Sequence, residues 1–432
     1  MSAEINKPLN VGLAGFGTVG GGLAEVMAMN ADWIERRVGR ALKLKSVCDR
    51  DETKREAVLA KGAGFTNNLD DLLKDPEIDV VVELIGGTGI AKSFIESALD
   101  AGKHVVTANK ALLAEYGHEI FPKAARKGLH LGFEASVAGG IPLVETLKGS
   151  LAGNRIHTVL GIMNGTANYI LTEMTDKAME FDAALAMAQD LGYAEADPTL
   201  DVDGGDAAHK LTLIIQLAFG EFYPYEKLPV TGISVVKPMD IAFAREFGYE
   251  IKLLAQARVI DGRVEAGVFP ALISGENLLA KVKGSFNAIR LEGNGGPIML
   301  YGYGAGDLPT GSAVLADIMT IAKGAPACVF GFTDEALPDA DIMNLDDAVS
   351  PHYLRFIVPD RTGVLRDIGG VMAENGISIA QAIQKDESGT PGEGVPLVLL
   401  THKAKADDIH RAMDLADEKG LCLERAMHYR IL

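Results

Sequence analysis

Leu9–Ala14 is an unbroken run of mostly apolar residues, and Leu42–Cys48, Val80–Leu84 and His104–Thr107 are three more of the same kind. Between them, Thr18 to about Met29, Thr53–Lys61, Ile90–Ala101 and Ala111–Lys127 read as helices, and Asn30–Ala41 as an insertion. Strands alternating with helices of 10–15 residues predict parallel βαβ units with helices on both faces of one sheet. From about residue 145 the pattern changes. Long helical stretches at Phe181–Leu191 and Ala207–Phe219 mix with short strands at His157–Ile162, Ala255–Val259 and Val264–Pro270. Asp317–Lys323 reads as a helix returning to the first domain, and acidic residues 333–350 read as a linker. Beyond it, Tyr353–Val358, Val364–Asn375, Ile377–Gln384, Leu397–Thr401, Ala406–Lys419 and Leu421–Arg430 alternate β-α-β-β-α-β, the ferredoxin-like order.

The expected architecture is therefore α/β. A doubly wound parallel sheet spans residues 1–142, completed by a segment at about 310–330. An α+β domain covers 143–330, and a separable ferredoxin-like domain covers 350–432. A length of 432 residues accommodates that many cores.

Charge narrows the partners. Lys plus Arg number 41 against 59 Asp plus Glu, a net −18, which repels nucleic acid and anionic lipid. The densest apolar run, Leu211–Phe219, is too short to span a membrane and contains Thr212 and Gln216. Met1–Asn10 is polar, and Cys48, Cys328 and Cys422 are too few and too far apart for a disulfide framework or a metal cluster. A cytoplasmic protein is expected.

Candidate chemistry gathers at strand ends. Gly15-Phe16-Gly17-Thr18-Val19-Gly20 joins the first strand to the first helix, where glycines permit a tight turn, close approach of a pyrophosphate and close helix packing. Asp49 ends the second strand, where an acid suits the ribose of NAD, while the adjacent Arg50 suits the extra phosphate of NADP. Gly86 and Gly87 follow the third clear strand, and Lys110 follows the next, facing the same cleft. The richest segment runs from Gly192 to Lys210. It holds Glu195, Asp197, Asp201, Asp203 and Asp206, which repel one another unless something cationic or polar is held among them. Asp206 is placed either as a helix cap or as a working acid, with Lys210 one turn further on.

Met163-Asn164-Gly165-Thr166-Ala167-Asn168-Tyr169-Ile170-Leu171, followed by Leu191 to Lys210, resembles the homoserine dehydrogenase family. Asn109-Lys110, Glu134-Ala135-Ser136-Val137-Ala138-Gly139-Gly140-Ile141-Pro142 and Gly304-Ala305-Gly306-Asp307-Leu308-Pro309-Thr310 extend the likeness over residues 9 to about 330. Residues 350–432 resemble an ACT regulatory domain through Asp360-Arg361-Thr362-Gly363-Val364-Leu365 and Asn375-Gly376-Ile377-Ser378-Ile379, with Thr362 where that family usually has proline.

The resemblance implies reversible oxidation of L-homoserine to L-aspartate 4-semialdehyde with NAD or NADP. It implies proton transfer by Lys210 and Lys110, oriented by Asp206. Glu195 and Asp201 would hold the substrate ammonium, with Tyr193, Asn164, Gly165 and Thr166 completing the substrate site. Gly15, Phe16, Gly17, Thr18, Val19, Gly20, Asp49, Arg50, Gly86, Gly87, Lys110 and Gly306 form the cofactor set. A monovalent cation (Na⁺ or K⁺) at Glu134, Val137, Gly139 and Ile141, a homodimer or homotetramer, and L-threonine as effector of the ACT domain complete the expectation. A thiolate-dependent semialdehyde dehydrogenase is excluded, because no cysteine lies between Cys48 and Cys328. Tyr223 and Lys227 have the spacing of a short-chain dehydrogenase pair, but Pro224 and Pro229 argue against a helix there. A non-catalytic nucleotide sensor has no need of the two lysines.

Overall fold

The computed structural model describes residues 7–385 and 394–432, which form two compact units. The first comprises the chain to Val159 together with Asp206–Leu228 and Phe286–Ala340; the second comprises Leu160–Gly205, Pro229–Ser285 and Asp341–Leu432.

The first unit is built on six parallel strands: β1 (Leu9–Ala14), β2 (Leu42–Cys48), β3 (Gly64–Thr66), β4 (Val80–Glu83), β5 (His104–Thr107) and β6 (Leu131–Gly132). Their order, β3-β2-β1-β4-β5-β6, reverses direction at β1 and β4, and that switch point is where such sheets open a crevice for ligands. Every residue of β1 and β4 is buried, as expected of central strands covered on both faces. The Asn30–Ala41 stretch is not a loop. Ala31–Val38 forms a helix that sinks Ile34 into the core and ends on Gly39 in the left-handed conformation.

Helix Asp307–Ala322 packs on helix Thr18–Met29, and helix Gly205–Phe219 is buried continuously from Asp206 to Leu217. A helix buried all round carries its charged residues into the interior, so they must be paired there. Strands Phe286–Gly293 and Gly296–Tyr303, not anticipated from the sequence, make a hairpin closed by Asn294-Gly295, the dipeptide that two-residue turns favour.

In the second unit, strands Tyr249–Ile260 and Arg263–Ser274 form a long hairpin across Asp261 and Gly262, both at positive φ. The strand order continues through Met427–Ile431, His352–Val358, Val395–Thr401 and Ile379–Gln384. The last four are the ferredoxin-like strands, with helices Val364–Glu374 and Ala406–Glu418 packed around Phe356, Ile368, Leu399 and Ile409.

The ferredoxin-like strands, which have a core of their own, are joined to the rest of the second unit. Met427–Ile431 pairs in parallel with Arg263–Ser274, and Arg430 donates to buried Glu265 at 3.1 Å. Arg355 Nε donates to Asp240 at 2.6 Å, and the Tyr353 hydroxyl donates to the same carboxylate at 3.0 Å. Asp240 and Arg355 are 0% and 1% exposed, so cutting the chain here leaves buried charges alone. The stretch 333–350 is anchored too, by exchange of backbone hydrogen bonds between Phe222 and Pro338 and Ala340 in the first unit, and between Val264 and Asp341 and Met343 in the second.

Candidate active site

At the switch point the glycines divide by role. Gly15 turns the chain at φ +98°, and a side chain there would meet the Leu84 carbonyl at 2.5 Å; one at Gly20 would strike the Gly15 carbonyl. A side chain at Gly17 would meet nothing within 4 Å. The first and third glycines are thus required by the packing, and the second faces space that a ligand can enter. That space is a cleft of about 390 Å³, within the range of small-molecule sites. Gly17–Gly20, Gly86, Gly87 and Lys110 all line it, whereas Asp49, Arg50 and Gly306 stand outside its walls. Helix Thr18–Met29 begins there with no acidic residue in its first turn, leaving the positive end of its dipole open to a phosphate.

Two residues without an assigned role in the sequence shape this cleft. Glu83, fully buried, accepts the backbone N–H groups of Ile85 (2.7 Å) and Gly86 (3.0 Å) and the Thr107 hydroxyl (2.7 Å), fixing the loop after β4. Asn109 caps helix Lys110–Arg126 through the Leu112 N–H and donates to the Gly87 carbonyl at 2.7 Å. Its position directly after a strand and before a helix was the signal for that cap. Asp49 is already engaged. Its carboxylate accepts the Phe16 N–H (2.7 Å), the Asp51 N–H (2.9 Å) and Lys54 Nζ (3.0 Å). Burial raises this carboxyl, but those donors outweigh it and hold it below the usual carboxylate range. Arg50 is exposed beside it.

Lys110, Asp206 and Lys210 come together. Lys210 Nζ lies 2.7 Å from one oxygen of Asp206 and Lys110 Nζ 3.1 Å from the other. Asp206 stands inside the first turn of its helix and bridges the two lysines. Asp206 and Lys210 are nearly fully buried, while the Lys110 side chain is 30% exposed at the cleft wall. His209 stacks on Tyr225 at 4.4 Å. Burial, with Lys110 nearby, pushes its imidazole down to about 4, so it stays neutral beside the two ammonium groups.

The second unit gathers the predicted substrate residues. Asn164 caps helix Gly165–Lys177 by accepting the Ala167 N–H at 2.7 Å, and its amide donates to Asp201 at 2.6 Å. Thr166 Oγ1 donates to the Tyr193 carbonyl at 2.7 Å, and the Tyr193 ring packs on Tyr169 at 4.8 Å. Gly165 opens the helix, and Glu195 is exposed with its carbonyl held by Gln189.

Among the described residues no group of three or more His, Cys, Asp or Glu side chains is placed to hold a metal ion, and no helix is long and apolar enough to cross a membrane. The turn Glu134–Ile141 offers a different donor set. Glu134 is buried and accepts the N–H groups of Val144 (2.9 Å) and Glu145 (2.7 Å), while Asp317 accepts its N–H at 2.9 Å. Burial pushes both carboxyls up, Asp317 to about 7 with Glu134 adding to the effect.

Residues 15–134 match the family model "Homoserine dehydrogenase, NAD binding domain", residues 142–319 the model "Homoserine dehydrogenase", and residues 352–414 the model "ACT domain". The chain is 43% identical to the homoserine dehydrogenase of Neisseria gonorrhoeae over 97% of each chain, and 36% identical to that of Bacillus subtilis over 98% of each. A crystal structure of a homoserine dehydrogenase from Thiobacillus denitrificans is similar at TM-score 0.93 and 42% identity, over 99% of this chain and 98% of that one. A hyperthermophilic archaeal homoserine dehydrogenase in complex with NADPH is similar at TM-score 0.63 and 28% identity, over 74% of this chain and 99% of that one.

Proposed function

Because the chain belongs to the homoserine dehydrogenase family, we propose that Lys110, Asp206 and Lys210 handle the proton in its interconversion of L-homoserine and L-aspartate 4-semialdehyde. The observation that carries this reading is one buried carboxylate holding two ammonium groups, one of them in the wall of the cofactor cleft. When bound, the nicotinamide supplies or accepts the hydride. In the aldehyde-reducing direction the Lys210 ammonium presents a proton to the carbonyl oxygen; in the reverse direction its amine takes the alcohol proton. Asp206 fixes the position of both lysines, and Lys110 extends the positive field into the cleft. Asp201 and Glu195 receive the substrate ammonium, and the first turn of helix Gly165–Lys177, at Asn164, Gly165 and Thr166, receives its carboxylate, with Tyr193 beside them. Homoserine-dependent reduction of NAD and of NADP, compared in wild type and Lys210→Ala, tests the assignment.

Either dinucleotide fits. The Gly15–Gly20 turn, Gly86 and Gly87 surround its nicotinamide and phosphates, Asp49 serves the ribose of NAD, and Arg50 with Lys54 attracts the 2′-phosphate of NADP. Glu134, Val137, Gly139 and Ile141 would hold a monovalent cation that neutralises the buried acids. The ACT domain takes L-threonine at the Asp360–Leu365 turn, where Gly363 is left-handed before helix Val364–Glu374, in a homodimer or homotetramer. A cytoplasmic place fits its free thiols Cys48, Cys328 and Cys422.

A further inference from the structure

The second unit contains a cavity of about 380 Å³ that shares no residue with any site assigned above. Its walls come from the segment Pro229–Val235, the strand end at Phe269 and Pro270, Leu345 and Asp346, and the C-terminal elements at His410 and Met427–Arg430. Its polar groups are set by a chain of histidines. His352 Nε2 lies 3.2 Å from the Ala404 carbonyl, which only accepts, and 3.4 Å from the Ser350 hydroxyl, which can accept or donate, so a hydrogen on Nε2 satisfies both neighbours. His352 Nδ1 therefore accepts from His428 Nε2, 2.7 Å away, and His428 retains an unprotonated Nδ1. Burial holds both imidazoles below their ordinary value, His352 at about 4, so the neutral arrangement persists at neutral pH.

His428 and the Asp346 carboxylate, 3.4 Å from His410, therefore give the cavity acceptors and negative charge. Arg430 gives it donors and positive charge. Its terminal nitrogens reach Glu265 (3.1 Å) and the Leu345 carbonyl (2.9 Å), and each carries a second N–H. Phe269, Val235 and Met427 make the rest of the wall apolar.

A cavity at the small end of ligand sites, with a carboxylate on one wall, a guanidinium that keeps further N–H donors beyond its Glu265 pair on another, and apolar residues between, matches a small zwitterion. A phosphate would meet Asp346, and a plain hydrocarbon would leave both charges without a ligand partner. We propose that this cavity binds a free α-amino acid with an apolar side chain, its ammonium at Asp346 and His428, its carboxylate at Arg430 and its side chain against Phe269 and Val235. The site is distinct from the Asp360–Leu365 turn.

Occupancy has a short path to the acidic loop. The wall residue Thr231 is fixed by its N–H to the Val268 carbonyl at 2.8 Å. A side chain on the next residue, Gly232, would strike the Val202 carbonyl and meet Asp203 Cα at 2.5 Å, and Ile233 N–H donates to that carbonyl at 2.8 Å. Val202 follows Asp201, so a ligand that shifts this wall shifts Asp201 and changes the KM for homoserine. That last step rests on the substrate role proposed for Asp201; the binding does not.

Titration calorimetry of the full chain with L-valine, L-isoleucine and L-methionine tests the site. At least one should bind. Isovalerate and isobutylamine, which each lack one charge of valine, should give no heat. Asp346→Asn and Val235→Trp, the second filling the cavity without touching a charge, should each raise the Kd about tenfold or more. The proposal is overturned if none of the three amino acids binds, or if both variants bind with the wild-type Kd. Loss of binding in Asp360→Ala with retention in both cavity variants assigns the ligand to the ACT turn and also overturns it. Binding as expected with an unchanged homoserine KM removes the Asp201 step and leaves the cavity site standing.

Discussion

Asp206 in the first unit and Asp240 in the second each stand in the first turn of a helix, each is buried, and each is held by cationic side chains. Their partners separate them. Asp206 is held by two lysines, compact charges on flexible stems, and Lys110 reaches the cleft wall. Asp240 is held by the fixed fork of Arg355 and by the hydroxyls of Tyr353 and Tyr429, and burial pushes both tyrosines up, away from ionisation. Lysine can exchange a proton under neighbouring influence and arginine cannot. On the roles proposed above, the same motif of a buried acid ringed by donors serves chemistry in one unit and cohesion in the other, and the donor type, rather than the burial, distinguishes them.

Swapping the outcomes would break that contrast. Lys210→Ala should lower kcat by about 10²–10⁴, the span for loss of a positioned acid–base group. Turnover close to wild type would return Lys210 to an ordinary helix ion pair. Asp240→Ala should lower unfolding free energy by about 3–5 kcal/mol in a urea titration, because Arg355 is left buried without its main counter-charge. The kcat of its folded fraction should be unchanged, and a large fall there would erase the distinction. For the same reason a chain ending near Ser350 should lose stability as well as effector response.

Acid pH sharpens the picture of the second unit. Burial pushes His352 down from the ordinary 6.5 to about 4 in the folded chain, so the unfolded chain binds the proton first as pH falls. Its contribution is complete above pH 6.5, is lost progressively between 6.5 and 4, and is on the order of 3 kcal/mol in full. Urea midpoints at pH 7 and pH 4.5 should therefore differ less in His352→Gln than in wild type. The smallest effect concerns the cofactor. Lys54→Ala should lower kcat/KM with NADP by about three- to tenfold and leave NAD within about twofold, the loss of one exposed charge contact. Equal losses with both dinucleotides would make Lys54 a partner of Asp49 alone.

The sequence carried most of the first unit because buried parallel strands write continuous apolar runs, and a glycine-rich turn marks the crevice. It also carried Asp206 and Lys210, which stand one helical turn apart. The hairpin over Phe286–Tyr303 is marked in the sequence by Asn294-Gly295 alone. The helix Ala31–Val38 was obscured because it buries only Ile34 and exposes Trp33 beneath the guanidinium groups of Arg36 and Arg37. The joining of the ferredoxin-like strands to Arg263–Ser274 was not legible. Arg355 and Asp240 are 115 residues apart, and such pairing leaves no local periodicity to read. Asp49 lay at the expected strand end, but only the fold brings Phe16 and Lys54 onto its oxygens.

The most direct test of the contrast is the turnover of homoserine by Asp206→Asn, which keeps the shape of the side chain and removes its charge. The expected kcat is at least about a hundredfold below wild type, with a homoserine KM changed far less. A kcat within threefold of wild type in the folded variant would contradict it.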